Sequence, residues 1–514
     1  MLMCEWGERI CEEGLLTEWL SQGQEFTDIA VSSKCSQSIA IKLFNTQKDL
    51  LKVELDQLQC HFTWAPQREY IDLDDTKQRL QDSIDLDLKY QARSYNQLAF
   101  LNCLQGNYEE AIQNLKEAVK VLRENHEDEF DKRIIITYGN YAWVYYHMGQ
   151  LTEAQSYLDK LERICKQFPD ASRYTAMIPE VDGEKGWSLL KYDIQHYKEA
   201  MECFETALEE DPSNIDWNVG YAIVLSRLEG LSGVTESVDS SQSVKQWRRV
   251  LVLDPNDAEA MVQLALKLRV FEQYEEADTL VKQALEKSPD LPYVLRYAAK
   301  FYRCAGDIEK ALTLLDKALK MTPKSTFLYH QKGQCYKKQI CLLKKNPGSR
   351  DPRNPDFEKK TRLVKNCKEC FKKAIELKQS CIIAKLDYAK TYSLNEEYDE
   401  AAKIYSSLLE LENTCPENKQ EIRLHAALFQ LYHKHSEANA INYFLEGLKI
   451  KCDSTARKRC HNHLETIVER QLRKNQWNNK VFCIRGLMYL LDGKESEAIE
   501  CFEKILKFPH GDEE

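Results

Sequence analysis

The side chains of this sequence that are best suited to bind a ligand form a stripe of aromatic and cationic residues. Within YVLRYAAKFYR at 293–303, residues spaced i, i+3, i+4, i+7 and i+10 share one face of a helix. Those residues are Tyr293, Arg296, Tyr297, Lys300 and Arg303, and the core positions between them hold Leu295, Ala298, Ala299 and Tyr302. Rings stack on unpaired bases and cations pair with phosphates, so this face suits single-stranded nucleic acid.

The same face recurs in neighbouring segments. The equivalent residues are Phe327, His330, Gln331, Gln334 and Lys337 in the segment that follows, and Ile223, Arg227 and Lys191 in earlier ones. An extended peptide is the alternative ligand, and packing between repeats is an alternative role for the rings. On the stripe alone, RNA and a peptide are equally good ligands.

Basic residues are concentrated in two segments of an acidic chain. The 514 residues include 71 Lys and Arg against 82 Asp and Glu, which gives a net charge of −11. Residues 332–373 nevertheless hold 14 basic and 4 acidic residues, and residues 449–474 hold 8 and 3. This local excess indicates attraction to a polyanion, whereas a general nucleic-acid coat would be basic throughout. The alternative is a set of solvated helix faces that balance acidic neighbours.

Sequence motifs for catalysis are absent, and those for metal binding are weak: Cys460-His-Asn-His463 could bind a metal but is equally well part of an exposed basic helix. No Gly-rich phosphate loop, dinucleotide fingerprint or His-Glu-x-x-His occurs. Cys367 and Cys370 have metal-ligand spacing but no second pair, so we interpret them as structural thiols. We therefore expect a protein that is not an enzyme and has no metal site. Its 18 Cys, with neither a signal-like N-terminus nor an apolar run of ~18 residues, indicate a cytoplasmic protein with reduced thiols and no membrane partner.

A repeat must position these side chains. Small residues let paired helices approach closely, and Pro ends the second helix of a pair. The small residue of each unit is expected at Ala111, Ala154, Ala200, Ser243, Ala277, Ala311, Cys367, Ala402, Ala440 and Ala498. Ala277 and Ala311 are 34 residues apart, the length of the tetratricopeptide repeat (TPR). We predict an all-α TPR superhelical solenoid that encloses a positively charged inner groove or tunnel, with loops at 228–242 and 345–356.

Several blocks of the sequence resemble the interferon-induced proteins with tetratricopeptide repeats (the IFIT family). They are CHFTW at 60–64, YGNYAWVYYHMGQLTEAQSYLDK at 138–160, EKGWSLLK at 184–191, YVLRYAAKFYR at 293–303 and FLYHQKGQCY at 327–336. The resemblance implies an interferon-induced antiviral protein of innate immunity, in the cytoplasm. It would bind the 5′ end of foreign single-stranded RNA, as a triphosphate or an incompletely methylated cap, and block translation. The alternative is a TPR scaffold or adaptor for other proteins in innate immune signalling.

The resemblance also implies roles for single residues. It places Trp187 and Lys191 in a 5′-end pocket, Tyr197, Ile223 and Arg227 in its wall and phosphate contacts, and Tyr293, Arg296, Tyr297, Phe327, His330 and Gln331 along the path of the first nucleotides. In an acidic helix near residues 72–90, it makes Arg79 the phosphate contact. The amide expected one turn later is replaced by Ser83 or Asp82, depending on the register. Asp82 would repel phosphate unless a divalent cation intervened, and Asp74 is the residue expected to hold such a cation with the RNA triphosphate. We expect no other cofactor.

Repeats and resemblance together predict four segments. Residues 1–48 fit no repeat and are expected to be a poorly ordered extension. Residues 49–240 form an N-terminal TPR subdomain with the 5′-end pocket, residues 241–375 a central one that lines the RNA path, and residues 376–514 a C-terminal one. The resemblance further implies assembly with family members or with itself through the C-terminal repeats. We do not expect DNA as a partner.

Overall fold

The structure is a computed structural model that describes residues 34–65, 73–86, 90–192, 194–232, 237–346, 351, 353–412, 414–474 and 478–507. All regular secondary structure in these ranges is helical, which confirms the predicted all-α class. The chain forms two compact units. The first unit consists of Met1–Ile71 and Leu80–Glu210, and the second unit of Asp72–Arg79 and Asp211–Glu514.

The helices up to residue 210 belong mainly to the first unit. They are α1 (Lys34–Leu55), α2 (His61–Trp64), α3 (Leu73–Asp85), α4 (Gln91–Leu104), α5 (Tyr108–Asn125), α6 (Phe130–His147), α7 (Leu151–Cys165), α8 (Pro179–Leu189) and α9 (Tyr197–Glu210). Short 3₁₀ helices occur at Glu127–Glu129 and Ile194–His196. The division between the units falls within α3, after Arg79.

The remaining described helices belong to the second unit. They are α10 (Ile215–Ser232), α11 (Gln242–Leu253), α12 (Ala258–Val270), α13 (Tyr274–Lys287), α14 (Pro292–Ala305), α15 (Ile308–Met321), α16 (Thr326–Leu343), α17 (Pro355–Leu377), α18 (Ile382–Leu394), α19 (Tyr398–Leu409), α20 (Pro416–Tyr432), α21 (Glu437–Lys449), α22 (Thr455–Lys474), α23 (Asn479–Leu491) and α24 (Glu495–Lys507). From α4 onwards, consecutive helices pack against each other in pairs, and α22 is an additional single helix between α21 and α23.

Small residues lie at the contact between the two helices of each pair, as the sequence predicts. The positions Ala111, Ala154, Ala200, Ser243, Ala277, Ala311, Cys367 and Ala440 are fully buried, and Ala498 is nearly so. Each belongs to the second helix of its pair. Two helices can approach this closely only where side chains are short, so the repeat spacing of the sequence corresponds to the spacing of helix pairs.

In the repeat that contains α19, the small residue is Ala401 and not the predicted Ala402. Ala401 is fully buried, whereas Ala402 is half-buried. The Ala401 N–H donates to the carbonyl of Glu397, the residue before the helix, over 3.2 Å. Ala311 makes the same four-residue bond to Asp307 before α15. Because both candidates are alanine, only the position at which the helix begins distinguishes them.

The turn between α14 and α15 shows how the sequence ends one helix and begins the next. Gly306 follows α14 with φ of 103°, a left-handed conformation in which a side chain would be strained. The carboxylate of Asp307 then accepts a hydrogen bond from the Lys310 N–H over 3.1 Å and caps α15. At the start of α14, Pro292 occupies a position where no N–H is required.

Two irregular repeat lengths have identifiable causes. The 56 residues from Ala311 to Cys367 include α16, which has 18 residues, and the first part of α17, which has 23 residues in all and contains Cys367. The 58 residues between Ala440 and Ala498 include α22, a further helix of 20 residues. Insertions therefore lengthen helices or add one, as well as extending loops.

Two predicted irregular segments are partly helical. Residues 1–33 of the expected poorly ordered extension lie outside the described residues, but residues 34–48 form most of α1. The predicted loop 228–242 begins too early, because α10 continues to Ser232. The Glu229 carboxylate of α10 accepts hydrogen bonds from the Ser243 N–H at 2.9 Å and from Lys267 at 2.9 Å, which gives this end of the helix stable partners.

Candidate nucleic-acid interface

Helix α14 in the second unit presents the predicted aromatic and cationic residues together. Tyr293 and Tyr297 have ring centroids 4.7 Å apart, and Tyr297 lies 5.7 Å from the ring of Phe327 on α16. The Arg296 guanidinium lies 4.4 Å, 4.7 Å and 5.3 Å from these three ring centroids in the same order. The predicted core positions of α14, represented by Leu295 and Ala299, are buried. The helical spacing of the sequence thus predicted both faces of α14 correctly.

Arg296 is half-buried, and its buried Nε is an unsatisfied donor. No acceptor among the described residues lies within hydrogen-bond distance of its Nε. The side-chain oxygen of Gln331 on α16 is likewise buried without a donor in the described part of the chain. Buried polar atoms are normally paired, so these two atoms are available to a ligand that lies against α14 and α16.

The electrostatics of this cluster favour a cation beside hydroxyl groups. Burial alone would lower the pKa of Arg296, but the neighbouring Tyr297 and Tyr293 hydroxyls outweigh it and raise the pKa. Burial would raise the pKa of Tyr297, yet Arg296, Lys300 and Arg227 lower it overall. Arg296 is therefore charged at neutral pH, and Arg227 of α10 acts on the same cluster.

A buried carboxylate, Asp387 of α18, was not predicted from the sequence. Its side chain is only 5% exposed. It contacts His330 Nε2 at 2.9 Å and Lys337 Nζ at 2.7 Å, both from α16, and Lys390 Nζ of its own helix at 3.4 Å. The Gln334 amide also donates to it. The carboxylate thus fixes the positions of the polar side chains that continue the stripe beyond Phe327.

The charges around Asp387 are strongly coupled. Burial would raise its pKa, but hydrogen bonding from His330 and the charges of Lys337 and Lys390 hold the pKa well below its usual range. Lys390 in turn has a lowered pKa, chiefly because it is buried. Two lysines, Lys337 and Lys390, thus lie against one buried carboxylate.

Two other predicted residues of the second unit lie on α10. Ile223 is half-buried and packs against the core that contains α12 and α14. Arg227, one turn later, is exposed. This arrangement agrees with a face on which the apolar residue packs and the cation is accessible.

Arg79 on α3 is paired with an acid. Its Nε lies 3.1 Å from Asp75, which also contacts Lys378 Nζ at 3.0 Å. The Arg79 side chain is 51% exposed, so an exposed ion pair of this type contributes little stability and can be exchanged for a ligand. Asp74, the residue expected to hold a cation, is exposed in the first turn of α3.

In the first unit, Trp187 lies on α8 beside groups that the sequence did not reveal. Its ring packs edge-to-face with Phe204 at 5.6 Å, and the Arg93 guanidinium lies 4.8 Å from its centroid. Arg93 forms an ion pair with Glu184 of α8 at 2.8 Å. Lys191 is exposed in the turn after α8, and Tyr197 is half-buried at the start of α9. Neither Arg93 nor Glu184 could be found from repeat spacing, because they lie 91 residues apart.

The basic segment 332–373 is less positive in the fold than in the sequence. Lys332 pairs with Asp316 of α15 at 2.6 Å, and Lys368 pairs with Glu397 of α19 at 2.7 Å. The acids come from helices that flank the segment in the repeat array. Part of its charge excess is therefore balanced locally, which was the alternative interpretation of this segment.

The Cys367–Cys370 spacing belongs to the core. The Cys367 thiol is fully buried and donates to the carbonyl of Gly333 at 3.3 Å. Burial raises the pKa of Cys367 to about 12, so the thiolate that metals require is disfavoured. Within the described ranges, no group of three or more His, Cys, Asp or Glu side chains is arranged to hold a metal ion.

The predicted RNA-binding residues thus fall into separate local groups. In the second unit, Arg296 lies among the rings of Tyr293, Tyr297 and Phe327, and His330 and Gln331 follow on α16. In the first unit, Trp187 has Arg93 on its ring. Contact of any of these residues with RNA stays a prediction. No helix in the described part of the chain is both long and apolar enough to span a membrane.

Comparison with known proteins relates this arrangement to a family. Two tetratricopeptide-repeat family models match residues 90–167 and 188–214. The human antiviral innate immune response effector IFIT1 is 38% identical over 458 residues, which covers 89% of this chain and 95% of that protein. The structure of a human IFIT1 dimer with m7Gppp-AAAA is similar, with a TM-score of 0.78, 38% identity and coverage of 90% of this chain and 100% of that chain. A human IFIT1 dimer with PPP-AAAA has a TM-score of 0.75 and 36% identity over the same shares of the two chains. The chain therefore belongs to the IFIT family of interferon-induced proteins with tetratricopeptide repeats.

Proposed function

We propose that this protein is an interferon-induced antiviral effector that binds the 5′ end of foreign single-stranded RNA and blocks its translation. The RNA end is a triphosphate or an incompletely methylated cap. Recognition occurs at the end and not along the sequence of the RNA. The protein acts in the cytoplasm and carries out no chemical step on the RNA.

The observation that carries this proposal is the cluster around Arg296. Three rings, Tyr293, Tyr297 and Phe327, surround one half-buried guanidinium whose buried Nε has no acceptor among the described residues. Aromatic rings stack on any unpaired base, and a guanidinium pairs with phosphate or with a base edge. Such a surface suits the first nucleotides of a single strand regardless of sequence. The solved IFIT1 dimers with m7Gppp-AAAA and PPP-AAAA support the same ligand class.

A divalent cation is proposed as part of the bound triphosphate. Asp74 and Asp75 occupy the first turn of α3, and Asp75 already contacts Arg79 and Lys378. A cation between Asp74 and the RNA phosphates would remove the repulsion between like charges. Arg79 then contacts phosphate directly. Binding of triphosphate RNA with and without Mg²⁺ tests this part, since an effect confined to triphosphate RNA is expected.

The central test compares three RNAs of one sequence. They carry a 5′-triphosphate, a 5′-cap or a 5′-hydroxyl, and their affinities for the full chain are measured by filter binding. We expect the hydroxyl RNA to bind at least about tenfold more weakly, because it lacks the charge-assisted contacts at the 5′ end. Equal affinity for all three RNAs would show that the end is not recognised.

A protein-interaction scaffold is the second candidate, and one observation favours it. Ile499 and Leu506 on α24 are 57% and 80% exposed, and their spacing of seven places them on one face. An apolar face of this kind suits a second protein. The two functions differ in salt response, because RNA held by several phosphates dissociates steeply with salt and an apolar contact does not. Both functions can coexist, with RNA and protein bound at separate surfaces.

A further inference from the structure

Helix α1 is anchored to the first unit by one face of its C-terminal half. Leu51 and Leu55 are buried in a cluster with side chains of α6 and α7. The Trp143 indole N–H donates to the carbonyl of Leu55 over 3.2 Å. Leu50 and Val53 lie on another side of the same turns and are 52% and 62% exposed. The anchored part of α1 therefore has a second apolar face that these contacts leave exposed.

The N-terminal half of α1 extends beyond this anchor. From Lys42 to Asp49, every side chain whose exposure the structure describes is exposed except that of Lys48, which lies 5.3 Å from the ring centroid of Tyr146. The exposed residues include the large ring of Phe44. Helical turns that do not pack are marginally stable in water, and an exposed apolar surface marks a site of interaction. This half of α1 therefore suits a partner along its length.

The exposed side of α1 has the spacing of a contact between two helices. Its positions are separated by four, three, four and three residues, and they are Ile39, Leu43, Thr46, Leu50 and Val53. This alternation keeps all five positions along one side of a helix, as in paired helices, and we call them the outer face of α1. The Thr46 hydroxyl donates to the carbonyl of Lys42 over 2.9 Å, so its one polar group has a partner within the helix. A second amphipathic helix fits such a face.

The residues that precede α1 have the opposite charge. Residues 1–33 contain seven acidic residues and one basic residue, a net charge of −6, whereas residues 34–48 contain three Lys and no acid. An acidic segment is attracted to this part of α1, while a second copy of α1 would bring two basic segments together. Charge therefore favours the preceding segment over a second copy as the partner.

The preceding segment also has a suitable pattern and length. In residues 8–20, ERICEEGLLTEWL, the pairs Leu15–Leu16 and Trp19–Leu20 recur at a spacing of four, which places them on one side of a helix. Thirteen helical residues are about 20 Å long, and the outer face from Ile39 to Val53 is about 21 Å long. Residues 21–33, which include Gly23, are more than enough to reverse the chain between two helices.

We propose that residues 8–20 form a helix that packs antiparallel on the outer face of α1. The two helices then form a pair at the N-terminal end of the repeat array, in place of the poorly ordered extension that the absence of a repeat predicts. Terminal elements of such arrays require a polar outer surface, which Glu12, Glu13 and Glu18 supply. Gly14 weakens the helix by itself, so its formation depends on the contact with α1.

The test is hydrogen exchange of the full chain, followed by mass spectrometry of peptides from residues 8–20 and 39–50. We expect the amides of both segments to be protected in the parent. Leu16→Ala combined with Trp19→Ala removes apolar side chains from the segment and changes no residue of α1. It should raise the exchange rate of the 39–50 amides by at least about tenfold, because this half of α1 then lacks its partner.

A reciprocal variant changes only α1. Leu50→Gln combined with Val53→Gln removes apolar side chains from the outer face but keeps the anchors Leu51 and Leu55. It should raise the exchange rate of the 8–20 amides by at least about tenfold, since the released segment loses its helix. Circular dichroism confirms that the rest of the fold is retained.

Matched controls lie off the contact in each segment. Thr17 lies on the opposite side of a helix from Trp19, and Asn45 is exposed on α1 but outside the outer face. Thr17→Ala and Asn45→Gln should change exchange in either segment by less than about twofold, since neither residue is part of the contact.

Three outcomes would overturn the proposal. The first is exchange of residues 8–20 in the parent at the rate of an unstructured chain. The second is protection of residues 39–50 that survives Leu16→Ala with Trp19→Ala, because another partner then covers the outer face. The third is protection that increases with protein concentration, which would assign the outer face to a second copy.

Discussion

Arg296 differs from exposed arginines because its planar group is already surrounded by rings. Changing Arg296 to Lys keeps the charge but replaces the fork with a single ammonium group, which cannot reproduce stacking or two parallel hydrogen bonds. We expect RNA affinity to fall about tenfold, which corresponds to losing one charge-assisted hydrogen bond of about 1.5 kcal/mol. The measurement is filter binding of 5′-triphosphate and capped RNA.

Arg353 provides the matched control for this substitution. Its side chain is 91% exposed and pairs with Asp351 two residues away. Because exposed charges are screened by solvent and salt, Arg353→Lys should change RNA affinity less than about twofold. Similar losses in both variants would show that Arg296 contributes only general charge.

Single residues of the interface were predictable only where one helix determines them. The period of α14 places Tyr293, Arg296 and Tyr297 on one face, and these side chains contact each other in the structure. Asp387 was missed because its partners His330 and Lys337 come from another helix. The sequence pattern within α18 contains no sign that this acid is buried. The same applies to Arg93, whose partner Glu184 is distant in sequence.

At the scale of the element, Gly333 controls how closely α16 packs against α17. A Cβ at Gly333 would lie 2.6 Å from the buried ring of Phe371. We expect Gly333→Ala to lower the free energy of unfolding of the second unit by about 1 to 3 kcal/mol, because the ring is fully buried and overpacking a core is destabilising. Combining it with Phe371→Leu should recover part of the loss. Denaturant unfolding followed by circular dichroism measures both effects.

Gly230 serves as the control, since it also lies within a helix. Nothing lies within 4 Å of a Cβ built on Gly230 of α10. Gly230→Ala should raise stability by about 0.5 to 1 kcal/mol, because alanine loses less conformational freedom in a helix. If Gly333→Ala were equally stabilising, the close approach of α16 and α17 would be wrong.

The repeat pattern predicts which helices pair, but helix ends depend on contacts that it does not contain. Buried small residues such as Ala277 and Ala311 follow directly from the 34-residue spacing. Ala401 was misassigned by one residue because its neighbour is also alanine. Helix α10 extends further than its Gly- and Ser-rich sequence suggests, since Glu229 near its end bonds to Ser243 and Lys267.

At the scale of the whole molecule, the C-terminal helix is the surface at which two copies are expected to meet. Ile499 and Leu506 are exposed on one face of α24, while Ala498 and Cys501 of the same helix are buried. The IFIT1 structures with m7Gppp-AAAA and PPP-AAAA are both dimers. The buried face of α24 packs against the neighbouring repeat. The exposed face makes no such packing contact and therefore suits self-association.

Replacing both Ile499 and Leu506 with Glu should convert a self-associated form to monomer. Burying two carboxylates in an apolar contact costs several kcal/mol, so we expect the dimer dissociation constant to rise by at least about a hundredfold. Sedimentation over a range of concentrations measures it. Val53→Glu is the control, because Val53 is 62% exposed within α1, and it should leave the oligomeric state unchanged. If the double variant folds normally and self-associates like the parent, the contact lies on another surface. If the monomeric variant binds RNA with unchanged affinity, RNA binding does not depend on self-association.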